Sequence, residues 1–108
     1  MYEKMNRNEL IKKLKKAVSE IEPDAEIILY GSRSRGDSST ESDWDFLILV
    51  DGSVDDERID RIRYQLYEVE WDSGEVLSSI IRNRQEWHSP PYSAMPFYHK
   101  IENEGMLL

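Results

Sequence analysis

Between Asn6 and Glu20 the apolar residues Leu10, Ile11, Leu14, Ala17 and Val18 recur at intervals of three and four, Ile21 follows in phase, and lysines fill the opposite positions. That spacing predicts an amphipathic helix with one buried stripe. Pro23-Asp24 is expected to end it, because proline has no amide to donate. The pattern then shifts from a stripe to a run. Ala25-Glu26-Ile27-Ile28-Leu29-Tyr30 is short, rich in β-formers and bounded by Gly31, which predicts a buried strand. Residues 32–42 are Ser, Gly, Thr and charged, a loop with room for one helical turn. A second strand is expected over 43–50, with a turn at Asp51-Gly52-Ser53.

Helical spacing returns from Asp55 to Trp71, with Ile59, Ile62, Leu66 and Val69 on the core side, and Ser73-Gly74 breaks it. Glu75 to Ile81 reads as a third strand. Pro90-Pro91 and Pro96 interrupt the tail, and Met95 to Glu104 predicts a last helix carrying Phe97, Tyr98 and Ile101. This order predicts an α/β or α+β fold, a small mixed sheet of three to four strands flanked by helices. At 108 residues the chain is expected to form one domain.

Composition narrows the function. With 39% hydrophobic and 33% charged residues the chain reads as a soluble globular protein. It has no apolar run of about 20 residues, so no membrane span is expected. The segment Met1-Tyr2-Glu3-Lys4-Met5-Asn6-Arg7 lacks the apolar stretch of a secretory leader. The absence of cysteine removes disulfides and thiolate zinc sites, and a cytoplasmic location is expected. A net charge of −8 disfavours nucleic acid as a large ligand. Lys4, Arg7, Lys12, Lys13, Lys15 and Lys16 nevertheless make the first segment basic, either as a solvated helix face or as a docking surface for an acidic partner. His88 and His99 have no metal-spaced companion and are expected in a loop and at the surface. Trp71, Trp87, Phe97 and Tyr98 are expected to fill the core or pack the tail down, the alternative being an exposed aromatic partner surface.

The chemistry lies in Leu29-Tyr30-Gly31-Ser32-Arg33-Ser34-Arg35-Gly36-Asp37 and in Ser42-Asp43-Trp44-Asp45. Gly31 ends a strand where the backbone must turn and a ligand must come close. Ser32 brings a hydroxyl and an amide, and amides at the start of a helical turn favour phosphate. Arg33 and Arg35 add positive charge for phosphate oxygens. Asp43 and Asp45, one residue apart on a strand, project from one face. Two such carboxylates repel unless a cation lies between them, and an oxygen-seeking divalent ion, Mg²⁺, suits them. Trp44, Phe46, Ile48 and Val50 point the other way and back the pair. Singly, Gly-Ser is a common turn and Asp-x-Asp a common solvated strand edge; their conjunction supplies a phosphate cradle with a metal pair, the parts of phosphoryl or nucleotidyl transfer.

Gly31-Ser32-x-x-Arg35-Gly36 with Ser42-Asp43-x-Asp45 resembles the signature of the DNA polymerase beta-like nucleotidyltransferase superfamily, in its minimal nucleotidyltransferase branch. The resemblance implies that Gly31, Ser32 and Arg35 hold the triphosphate and that Asp43 and Asp45 hold two Mg²⁺ ions. It implies transfer of a nucleoside monophosphate, AMP from ATP, to an acceptor hydroxyl. It also implies a helical HEPN-type partner in a toxin–antitoxin pair, a homo-oligomer being the other route to an acceptor site. That family carries a third carboxylate on a later strand, where this chain has Ser78-Ser79; Glu75 is the acid nearest that position, with Asp72 in the preceding turn. The alternative reading is a catalytically weakened module that binds a nucleotide or a partner.

Overall fold

The computed structural model describes residues 6–31, 33 and 43–108. Helix α1, Arg7–Ser19, starts on Asn6, whose side chain accepts from the Glu9 amide and so satisfies one of the free N–H groups of the first turn. It ends three to four residues before the proline expected to stop it, because the Glu22 amide donates back to the Val18 carbonyl in a closing turn. Strand β1 is Glu26–Tyr30 and β2 is Trp44–Val50, one residue shorter at its start than expected. Helix α2, Asp56–Ser73, is capped by Asp55 at its start and by Gly74 at its end; Gly74 adopts φ 73°, a left-handed conformation that glycine enters without strain.

Strand β3 is Leu77–Asn83 and starts two residues later than expected. Glu75 therefore belongs to the turn between α2 and β3, where its amide donates to the Ser73 hydroxyl instead of to a neighbouring strand. A short helix α3, Arg84–Trp87, a 3₁₀ turn at Tyr92–Ala94, helix α4, Pro96–Glu104, and strand β4, Met106–Leu107, complete the chain. Helix α4 was expected; α3 and β4 were not.

The sheet runs β3-β2-β1-β4, with β2 antiparallel to β1 and parallel to β3, and β4 antiparallel to β1. It is a mixed four-stranded sheet with helices on both faces, an open α+β architecture. Leu10, Leu14 and Val18 of α1 and Ile62, Leu66 and Val69 of α2 bury Trp44, Phe46, Ile48 and Val50. On the other face Trp87 and Ile101 cover Leu47 and Leu49. Strand β2 is thus buried on both sides, which is why it reads as a continuous apolar run. No helix of the described residues is long and apolar enough to cross a membrane.

Trp71 corrects an expectation. It lies two residues past Val69, on the opposite face of α2 from the buried stripe, and is 83% exposed rather than part of the core. Trp87 is buried as expected, and His88 lies exposed at the end of α3 within 2.8 Å of the Tyr98 hydroxyl.

Candidate active site at the open end of the sheet

Because β1 and β2 are antiparallel while β2 and β3 are parallel, the end of β1 and the starts of β2 and β3 meet at one edge of the sheet. Tyr30 pairs with Asp45, and Asp45 pairs with Ser78. Pleating puts paired residues on a common face, so Tyr30, Asp45 and Ser78 look the same way, with Leu47 and Ile80 further in.

Gly31 turns the chain directly over Asp45. It has φ +77°, and a Cβ built on it would lie 2.8 Å from Asp45 Oδ2. Any side chain there would press on the carboxylate, so this position needs glycine for both conformation and space. The sequence-predicted Gly31 and Asp45 are therefore in contact. Asp43 is exposed at the mouth of the same edge.

The electrostatics are those of two like charges close together, one of them half-buried. The Asp45 carboxyl is pushed above the ordinary carboxylate range, first by burial and next by the negative charge of Asp43; Lys100 on α4 acts the other way. Burial, and then the Asp45 charge, likewise push up the Tyr30 phenol. Phe97 stands edge-on to Tyr30, ring centroids 5.6 Å apart, so the first turn of α4 walls this face. Tyr30 and Lys100 were not singled out from sequence; the signal that finds them is register and helix docking, which are non-local.

On the reverse side Trp44 is clamped. Its Nε1 donates to Glu75 Oε2 at 3.2 Å, the Arg33 guanidinium lies 4.4 Å from its ring centroid, and Arg33 Nη2 is 3.7 Å from the same Glu75 oxygen. Arg7 of α1 donates to the Arg33 carbonyl at 2.6 Å. Arg33 is thereby fastened to the strand that carries Asp45. Glu75 is buried in this cluster, on Trp44's side of the sheet, and so stands away from the Asp45 face. Ser32 and Arg35 lie outside the described residues.

Asp43 and Asp45 offer hard oxygen donors of like negative charge, the chemistry that suits a divalent cation. Among the described residues no third histidine, cysteine or carboxylate joins them in a metal-holding group. The neighbour of Asp45 on β3 is the exposed hydroxyl of Ser78. A groove of about 710 Å³ between α3 and the 3₁₀ turn, lined by residues such as Gln85, Pro91 and Tyr92, involves none of the sequence-predicted site residues.

A two-sided α+β sheet with a glycine corner set over an Asp-x-Asp strand is the frame of a nucleotide-transfer domain. The family model for the nucleotidyltransferase domain matches residues 11–102, and the chain belongs to that family. One solved structure, described as the crystal structure of the toxin-antitoxin with AMP-PNP, shares the fold with a TM-score of 0.55 and 18% identity, over 95% of this chain and 72% of that one. A search among curated proteins found no match.

Proposed function

We propose that this chain transfers AMP from ATP to a hydroxyl on a partner protein, and that it is the antitoxin half of a toxin–antitoxin pair whose other half is a helical HEPN-type protein. The observation that carries the reading is the contact between Gly31 and Asp45, with Asp43 beside them. Membership of the nucleotidyltransferase family and the fold shared with a toxin–antitoxin structure holding AMP-PNP support it.

In this reading the backbone at Gly31 and Ser32 and the side chain of Arg35 hold the triphosphate, and Asp43 and Asp45 hold Mg²⁺, one ion or two. Bound Mg²⁺ would supply positive charge to offset the negative charge developing on the phosphate oxygens. The acceptor oxygen bonds to the α-phosphorus as the bond to the bridging oxygen breaks. Pyrophosphate leaves with that electron pair, and the hydroxyl proton passes to water. Asp45 is held in place from behind by Trp44, and Glu75 braces Trp44 instead of serving as a third ligand. ATP as substrate and Mg²⁺ as cofactor fit a cytoplasmic setting.

The second reading, a weakened nucleotide- or partner-binding module, is favoured by one observation: Ser78 stands beside Asp45 where a third acid would serve. Thermal stabilisation by ATP that depends on Mg²⁺ is expected, and is expected to vanish in Asp43→Asn and Asp45→Asn. Its absence from the native chain sinks the enzyme and the nucleotide-binding module and leaves only partner binding. Intact mass of the protein encoded beside this one, after incubation with ATP and Mg²⁺, then separates them: one added AMP supports the enzyme, and an unchanged mass supports the binder.

A further inference from the structure

Helices α1 and α2 lie side by side and antiparallel over one face of the sheet. Arg58 near the start of α2 grips Glu22 just past the end of α1, and Lys13 within α1 meets Asp72 near the end of α2. Their outward faces differ in character. Opposite its buried stripe α1 exposes Lys12, Lys15 and Lys16. Opposite its own stripe α2 exposes Tyr64, Tyr67 and Trp71, spaced by three and four residues, with Asp60 and Glu68 among them and Glu57 paired to Arg61.

Large exposed aromatics in a row are uncommon on a lone domain. Tyr64 and Tyr67 are each 61% exposed and Trp71 is 83% exposed. At about 150–250 Å² per aromatic side chain they offer on the order of 400 Å² of aromatic surface. That is about half of the ~800 Å² each partner gives to a standard protein interface. The aliphatic stems of the α1 lysines add apolar area next to it.

We propose that this helical layer is the interface of a homodimer, the occupant being a second copy of the same chain. A two-fold axis lying in the plane of the contact, along the seam between α1 and α2, sets α1 of each copy against α2 of the other. Because Lys13 is level with Asp72 and Glu22 with Arg58, the lysines of each α1 then stand level with Glu68 of the opposite α2, and the two aromatic rows are covered together. The surface is self-complementary because its basic and acidic helices are neighbours. Asp45 faces the other side of the sheet, so the dimer leaves the carboxylate edge open. This inference stands apart from the reading of the site.

Sedimentation of the full chain tests it. The expected result is a mass rising from 12.8 kDa towards twice that value as concentration increases from micromolar to millimolar. Trp71 emission is expected to shift to the blue in parallel, while Trp44 and Trp87, 3% and 2% exposed, report that the fold is intact. Tyr64→Ser with Trp71→Ser is expected to weaken association at least tenfold. The chain with Lys12→Glu, Lys15→Glu and Lys16→Glu, and the chain with Glu68→Lys, are each expected to stay monomeric, yet to pair when mixed. A monomer throughout the concentration range, a dimer that survives either charge reversal, or a mixture that fails to pair overturns the proposal.

Discussion

The guanidinium of Arg33 lies 4.4 Å from the ring centroid of Trp44, and both reach the same Glu75 oxygen, so Arg33 is tied from behind to the strand bearing Asp45. The tie is buried: the side chains of Arg33 and Glu75 are 13% and 7% exposed. Trp44→Phe keeps a ring under Arg33 but takes the indole donor from a buried carboxylate, and is expected to cost about 1–3 kcal/mol. Arg33→Ala is expected to cost a similar amount, about 1–2 kcal/mol, through the lost ring contact and ion pair. Urea titrations measure both; an unchanged midpoint in the two variants would show that the clamp holds nothing.

Glu75→Gln separates bracing from metal binding. The amide still accepts from the Trp44 indole but no longer pairs with the Arg33 charge, so stability is expected to fall by about 1–2 kcal/mol. The Mg²⁺ dependence of ATP stabilisation is expected to persist, because Glu75 lies on Trp44's side of the sheet. Loss of that dependence with stability intact would return Glu75 to the metal site.

Gly31→Ala tests the contact at the heart of the proposed function. The added methyl lands 2.8 Å from Asp45 Oδ2 on a backbone with φ +77°. The left-handed conformation costs alanine about 1–2 kcal/mol before any crowding is counted. The expected outcome is a loss of stability of that order together with loss of the response to ATP and Mg²⁺. A variant that keeps its full response contradicts a role for this corner in holding phosphate.

Asp45→Asn is expected to raise the melting temperature by up to a few degrees while abolishing that response. Burial and the neighbouring Asp43 charge both disfavour ionised Asp45, so a neutral isostere relieves the fold. Differential scanning calorimetry without nucleotide reads the first effect. A drop in melting temperature would mean that the charge is compensated within the chain. Ser78→Asp is the converse change: it sets a third carboxylate beside Asp45 and is expected to lower stability without Mg²⁺ and to strengthen the stabilisation that Mg²⁺ and ATP confer.

What sequence revealed here was whatever repeats locally. The stripes of α1 and α2 and the apolar runs of β1 and β2 follow from side-chain spacing, and Asp43 and Asp45 share a face by the two-residue period of a strand. Glu75-Val76 has strand-like composition, but the left-handed Gly74 turns the chain and pairing begins only where Trp44 meets Leu77. Strand β4 is two residues long and exists through its partners Ile28 and Leu29, which no local pattern encodes. The apolar ring of Trp71 suggests a core residue, but its helical phase, opposite Ile62, Leu66 and Val69, puts it outside. The meeting of Gly31 with Asp45 depends on the β1–β2 register, and the Trp44 clamp on where α2 stops.

Glu22 and Arg58 give the clearest dependence on pH. Arg58 donates through Nε at 2.8 Å and Nη2 at 2.7 Å to the two Glu22 oxygens, while its Nη1 serves the carbonyls of Asp51 and Ser53. The hydrogen bonds from Arg58, and its charge, hold the Glu22 carboxyl below its ordinary range, although burial pulls the other way. A carboxyl with a depressed folded value binds protons more readily once unfolded, so its stabilisation is present above the unfolded value of about 4.3 and is lost as pH falls through the folded one. Bonds to a charged group contribute about 1.5–3 kcal/mol. With the side chains 15% and 18% exposed, screening trims this towards the lower end. Glu22→Gln is therefore expected to cost about 1–2 kcal/mol near neutral pH, with the gap to the native chain closing below about pH 4. Denaturant midpoints measured for both chains across that range decide it: a gap that stays constant into acid would show that the pair works by shape and not by charge.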